Sequence, residues 1–231
     1  HSSATTSGDN WTVKATPIDE YGLNGTGRFS NGLIIEPNQA PSISSINLNA
    51  TSRSNHTSDN LTAHPSGITD PDGHDITTNY NWYRNGATDT LLNMPFTAPD
   101  SNSKTYDLSG FSNHGTVQGA SWNRTAGYDG FGAYDFDGHE DYIRISDNGD
   151  MELDIDGELS VSAWYKLREF GDTGTSGDTK GIVVKRNENN YYANYQLKID
   201  GNDNKTSFSW GNGTANSMVE TPDPLELNKW H

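Results

Sequence analysis

Apolar residues along this chain fall in short alternating runs separated by polar turns, and the pattern predicts β-strands. Residues 10–14 read NWTVK and place Trp11 and Val13 on one face of a strand. A long polar turn, TPIDEYGLNGTG, leads to the short apolar run GLIIEP, which Pro37 closes. From Pro41 the segment PSISSINLNAT alternates imperfectly through Ile43, Ile46 and Leu48. A strand and turn follow in DNLTAHPSGITDPDGHD, and then ITTNYNWYRNG is a strand carrying Trp82 and Tyr83. The dipeptide Asn85-Gly86 ends it as a turn signal. Further on, Tyr134 and Phe136 precede Asp137-Gly138, and Tyr142, Ile143 and Ile145 come after, which reads as a hairpin. Val161, Ala163 and Trp164 predict a strand buried on at least one face.

Composition narrows the class. Apolar residues make up 31% of 231 residues, and Gly, Asn, Ser, Thr and Asp fill the deficit. That mixture disfavours helix and suits strands joined by polar turns. Aromatic residues at 10%, set in alternating runs, argue against disorder. The expectation is an all-β chain of one or two domains. With no Cys, there is no disulfide, thiolate metal site or thiol nucleophile. The formal net charge of −16 repels phosphate backbones, so nucleic acid is not an expected partner. No apolar run reaches the roughly 18 residues of a membrane span. The first residues do not read as a signal peptide.

Acceptor triplets for N-glycosylation are in excess. Asn-x-Thr begins at Asn10, Asn24, Asn49, Asn55, Asn60, Asn123, Asn204 and Asn212, whereas Asn-x-Ser does not occur. Thr and Ser are about equally frequent, so chance would supply roughly two or three triplets of each type. Thr is the better acceptor, and selection for glycosylation would produce this skew. N-linked glycans place the chain outside the cytoplasm, at the cell surface or beyond, with the modified Asn exposed.

Two family resemblances organise the chain. DPDGHD at 70–75 and YNWYRNG at 80–86 resemble the early strands of the tandem immunoglobulin-like modules of archaeal and bacterial surface proteins. The resemblance makes Trp82 the core residue of a third strand. SGDNWTVKATPIDEYG at 7–22 resembles the late strands of such a module, so the order is inverted. The expected division is 1–37 as late strands, 38–97 as early strands and 98–231 as a second domain. A linker is expected between Asn93 and Tyr106, where NMPFTAPDSNSK carries two Pro.

From about Tyr106 the chain resembles the laminin-G-like, concanavalin A-type jelly roll. The blocks YDLSGFSNHGTVQGASW, GAYDFDGHEDYIRI, ELSVSAWYKL, GIVVKR and YQLKID carry it, in order. The family's pattern continues past Lys229-Trp230-His231 with strands that close the sandwich. The resemblance therefore implies a piece of a longer protein, or completion by another chain through strand addition.

Several groups could carry chemistry. Asp70, Asp72 and Asp75 surround a Pro-Asp-Gly turn, and three oxygen donors on a tight turn suit Ca²⁺; the competing reading is a turn held by side-chain-to-backbone hydrogen bonds. The laminin-G-like resemblance implies a structural Ca²⁺ near Asp107, Asn113 and Asp137. His74 and His114 read as surface groups. Glu152, Asp154 and Asp156 alternate as in the catalytic strand of laminarinase-type glycoside hydrolases, which share the jelly-roll fold. Here the run lies in an acidic connector, its third carboxylate is an Asp and Gly157 follows, so no catalysis is expected. The function expected is a non-catalytic, glycosylated structural or adhesive surface protein that self-associates in a filament or surface layer. A carbohydrate-binding module is the first alternative and a secreted glycosidase the second.

Overall fold

A computed structural model describes residues 5–52, 54–101, 103–146, 153, 158–170, 179–186, 193–211 and 216–231. Among these residues there is no helix, and every strand pairing is antiparallel. The chain is all-β, as expected. It divides into two compact units, His1–Thr78 and Asn79–His231.

The first unit holds β1 (Asn10–Trp11), β2 (Lys14–Ala15), β3 (Arg28–Phe29), β4 (Leu33–Ile34), β5 (Ser45–Ala50) and β6 (Leu61–Ser66). They pair two by two: β1 with β4, β2 with β3, β5 with β6. The strand expected over 10–14 is split between β1 and β2. Its partners come from 28–34, and among the described residues no strand before Pro37 pairs with one beyond Pro41.

The β5–β6 hairpin is two-faced. Its register opposes Ile46 to Pro65, Leu48 to Ala63 and Ala50 to Leu61 on one side. On the other side Ser45 faces Ser66, Asn47 faces His64 and Asn49 faces Thr62. Side chains two apart on a strand share a face, so the sequence alternation maps directly onto an apolar and a polar side. The apolar side is not covered: Ile46, Leu48 and Leu61 are 57%, 58% and 55% exposed.

The second unit opens with β7 (Tyr83–Arg84) and β8 (Ala87–Thr88), joined through Asn85 and Gly86. Both joining residues are left-handed, with φ of 53° and 85°, the geometry of a two-residue hairpin turn that Asn-Gly adopts at little cost. The turn signal is borne out. Trp82, however, is 39% exposed and is not a core residue of a third strand.

The unit continues with β9 (Pro99–Ser101), β10 (Lys104–Thr105), β11 (Gly115–Gln118), β12 (Ser121–Asn123), β13 (Ala133–Asp135) and β14 (Tyr142–Ile145). One sheet has the order β14-β11-β10-β9, and β12 pairs with β13. The strands flanking Asp137-Gly138 therefore do not form a hairpin: β13 and β14 belong to different sheets. The connector is folded on itself, since the Asp137 N–H donates to Asp141 Oδ2 at 2.8 Å and the His139 N–H to Asp137 Oδ1 at 2.8 Å. Each strand finds its partner upstream, β13 on β12 and β14 on β11.

A second four-stranded sheet runs β15 (Lys180–Arg186), β16 (Ala193–Asp200), β17 (Lys205–Gly211) and β18 (Asn216–Glu220) in consecutive order. Tyr195, Leu197 and Ile199 share a face with Trp210, Phe208 and Thr206 across the β16–β17 register. Among the described residues the buried apolar ones are Val117, Ala120, Leu153, Tyr195 and Ile199; Thr105, Asp107, Ser109, Ser207 and Ser209 are also buried.

The division of units falls at Thr78, upstream of the Pro-containing stretch. Asn93 explains this locally. Its side-chain amide donates to Asn79 Oδ1 at 2.7 Å and Asn81 Oδ1 at 2.6 Å, and its N–H donates to Asp107 Oδ1 at 2.8 Å. The Asn81 amide in turn donates to the Leu108 carbonyl.

Candidate functional site

Seven of the eight sequon asparagines are among the described residues; Asn212 lies outside them. Asn10, Asn24, Asn49, Asn55, Asn60 and Asn123 are exposed, and Asn204 is half-buried. Asn49 and Thr62 sit opposite one another on the polar side of the β5–β6 hairpin. Asn204 is different: it is left-handed with φ of 59°, its N–H donates to the Asp200 carbonyl and its carbonyl accepts from Leu225. Its side-chain Oδ1 is buried without a partner, and the hydroxyl of its sequon residue Thr206 is engaged by the Tyr165 phenol.

The acidic turn at 70–75 is ordered by its own backbone. Asp70 Oδ1 accepts from the N–H groups of Asp72 at 2.8 Å and His74 at 3.3 Å, and Asp72 Oδ2 accepts from the Gln39 N–H at 2.6 Å. Gly73, with φ of 75°, closes the turn onto the Asp70 carbonyl. One ligand atom each of Asp70, Asp72 and His74 lies within 4.8 Å of the others. Asp75 is not part of that group; the imidazole of His74 takes the place expected for it. Two carboxylates and an imidazole are a poorer set for Ca²⁺, which prefers six to eight oxygens.

Asp107 is a fully bonded, buried carboxylate of the second unit. Oδ1 accepts from the N–H groups of Asn93 at 2.8 Å and Ser109 at 2.9 Å; Oδ2 accepts from the Ser109 hydroxyl at 2.6 Å and the Asn113 N–H at 2.9 Å. Burial pushes its pKa up, but these four hydrogen bonds outweigh burial and hold it below the ordinary carboxylate value. Four donors fill the lone-pair sites a carboxylate offers, which is what a structural anchor requires. Asn113 is brought to Asp107, with its side-chain amide donating to the Leu91 carbonyl at 3.2 Å. Asp137 hydrogen-bonds within its own connector, to Asp141 and His139. His114 is half-buried rather than a surface group, and its Nδ1 accepts the Asp107 N–H at 3.1 Å. Glu152, Asp154 and Asp156 lie outside the described residues.

The cluster that sequence reasoning missed is aromatic. Tyr128 and Trp164 stack with centroids 3.8 Å apart and planes 4° from parallel. Trp230 meets Tyr128 edge-on at 6.1 Å, and the Lys166 ammonium lies 5.1 Å from the Trp230 ring centre. Tyr128 is carried by a hydrogen-bonded turn in which Gly127 donates to Phe131 and Gly130 to Gly127. Trp230 is held by a bridge to Lys166, reinforced by reciprocal backbone bonds between Tyr165 and His231. Trp164 is 59% exposed and Tyr128 is 56% exposed. Val161 and Ala163 are half-buried, so Trp164 turns away from the side they cover and shares the outward face with Ser160, Ser162 and Lys166. That parity was readable in SVSAWYKL; the meeting with Tyr128 and Trp230 was not.

Residues 137–231 match the family model described as the concanavalin A-like lectin/glucanases superfamily. The match covers the second four-stranded sheet and fits a jelly roll. No curated protein and no solved structure matches the chain.

Proposed function

We propose that this chain is a non-catalytic, N-glycosylated structural or adhesive module of an extracellular surface, one that self-associates as part of a filament or layer. The observation that carries this reading is the two-faced β5–β6 hairpin. Glycan acceptors Asn49 and Asn60-Leu-Thr62 bear on its polar side, while Ile46, Leu48 and Leu61 stand exposed on the other. Such a hairpin directs glycans to one side and offers the opposite side for packing.

Two measurements test the proposal. Intact glycopeptide analysis of material from its native source is expected to find glycans on Asn49 and Asn60, and bare asparagines at most sites would overturn the extracellular reading. Sedimentation of the glycosylated chain is expected to show concentration-dependent association that Leu48→Glu weakens. A monomer at all concentrations would remove self-association. Ca²⁺ has its best donors in Asp70 and Asp72, and a thermal melt in CaCl₂ against EGTA reports any binding as a raised transition.

A second reading, a carbohydrate-binding module, is favoured by the exposed Tyr128–Trp164 stack within a chain whose C-terminal part matches a lectin/glucanase superfamily.

A further inference from the structure

We propose that the sequons 49–51 and 60–62 act as one composite acceptor: on the folded β5–β6 hairpin each chain takes a single N-linked glycan there, on Asn49 or on Asn60, and the first closes the second. This rests on the N-glycosylation reading and gives it a rule of use.

The register carries it. The two sequons run antiparallel to one another, with Asn49 opposite Thr62 and Ala50 opposite Leu61. The pairing reaches one residue further, where the Thr51 N–H donates to the Asn60 carbonyl at 3.1 Å. The Thr51 hydroxyl also accepts from the Asn60 N–H at 2.8 Å and donates to the Asn60 carbonyl at 3.2 Å. Each Asn therefore stands beside the Thr of the other sequon, and all four residues are exposed. Directly opposed residues of such a pair have Cβ atoms about 5 Å apart, and diagonal ones lie about 7–8 Å apart. The other described sequons are not opposed in this way: Asn10, Asn24 and Asn123 face Ile34, Ile18 and Ala133. Transfer needs both ends of a sequon. The Asn amide nitrogen attacks the anomeric carbon of a lipid-phosphate-linked glycan; the C–N bond forms, the C–O bond breaks, the lipid phosphate leaves with the electron pair and an amide proton passes to base. The Thr hydroxyl two residues on is what the transferase reads. A sugar on Asn49 covers Thr62 and a sugar on Asn60 covers Thr51, so either product hides the other acceptor. Thr51 is exposed at the end of the paired strands, where fraying frees its hydroxyl for a first transfer. Fraying does not remove a sugar already attached across the register.

The test is intact glycopeptide analysis of native material after Lys-C digestion, which leaves 15–104 on one peptide because no Lys lies between Lys14 and Lys104. Chains modified at both Asn49 and Asn60 are expected about tenfold or more below the product of the two separate occupancies, the size of coupling between neighbouring sites. Asn24 and Asn49, which share no register, are expected together at their product. Asn55 lies closer along the chain to each member of the pair than they lie to one another, and it too is expected to be independent. Asn49→Gln, made in the native source, should raise occupancy at Asn60, and Asn60→Gln at Asn49, while Asn55→Gln changes neither. Joint occupancy at the product overturns the proposal and keeps the glycosylation reading. Competition from Asn55 of equal size does the same, since it places the cause in chain spacing. Should native chains carry only one of the two, the Gln variant at that site moves the glycan to the other, and a partner that stays empty overturns the proposal. Bare Asn49 and Asn60 beside filled sequons elsewhere overturn it as well. Bare asparagines at every sequon remove the glycosylation reading with it.

Discussion

The unit His1–Thr78 and the unit Asn79–His231 are built from the same alternating strands, yet only the second encloses anything. In the first, strands of two residues pair off singly, the longest pair is a lone hairpin, and no described residue is buried. In the second, two four-stranded sheets bury Val117, Ala120, Tyr195 and Ile199. The physical lesson is that alternation makes a face but not a core. A two-stranded sheet has nothing to close against and is marginal by itself, whereas a wider sheet can cover its own strands.

Two aspartates show the same contrast in polar terms. Asp59 and Asp107 each gather hydrogen bonds from a nearby loop. Asp59 accepts from the Ser52 hydroxyl at 2.5 Å and the His56 N–H at 2.8 Å in the open, while Asp107 does so in the interior. Both are held below the ordinary carboxylate value, Asp59 chiefly by the Ser52 hydroxyl and Asp107 by four bonds that outweigh its burial. Only the buried one leaves its donors unpaired in a dry site if it is removed.

The comparison can be broken most directly by truncating one apolar residue from each unit. Ile199→Ala should cost about 3 kcal/mol in urea unfolding, as large-to-small changes in a core do. Leu48→Ala should stay within about 0.5 kcal/mol. A large loss at Leu48 would mean that its face is covered in solution. Asp107→Ala comes next, with an expected loss of about 2–3 kcal/mol by the same measurement, while Asp59→Ala should move the transition little.

The pH dependence sharpens this. Because the folded pKa of Asp107 is depressed, its contribution is complete above the unfolded carboxylate value of about 4 and is lost as pH falls through the folded value. Acid titration should narrow the gap between the wild type and Asp107→Asn, and a gap that stays constant would refute the linkage. A smaller effect is expected at Ser207, which is fully buried with no partner for its hydroxyl. Ser207→Ala should be neutral or stabilising by up to about 1 kcal/mol. The least effect on stability, though a clear one in mass, concerns glycan occupancy. Asn204 should be occupied far less than Asn49, because its sequon hydroxyl is engaged and its backbone is bonded on both sides. Equal occupancy in glycopeptide analysis would show that modification precedes folding of the β16–β17 turn.

Much was legible without coordinates. Composition and turn chemistry sufficed for an all-β chain, Asn85-Gly86 for its hairpin, and the alternation Ile46, Leu48 for a two-faced strand. The misreadings share one cause. The period of two says which residues lie on one face, but not which strand will lie beside them. Thus Asp137-Gly138, read as a hairpin, joins strands of two different sheets, and Trp82, read as core, is exposed. The acidic turn was found correctly as a cluster, but its third member is His74, since turn geometry rather than residue type decides which side chains converge.

What the sequence by itself determined is therefore local: strand positions, turn positions, the glycan acceptors and the sign of the surface. These depend on residues a few places apart, whose backbone preferences and face parity hold wherever the segment goes. Only the tertiary structure decided that Asp107 would be saturated by donors from 93, 109 and 113, that residues 1–37 would pair among themselves, and that Tyr128, Trp164 and Trp230 would meet. Those meetings join parts of the chain that no local preference connects, and they depend on which sheet each strand enters.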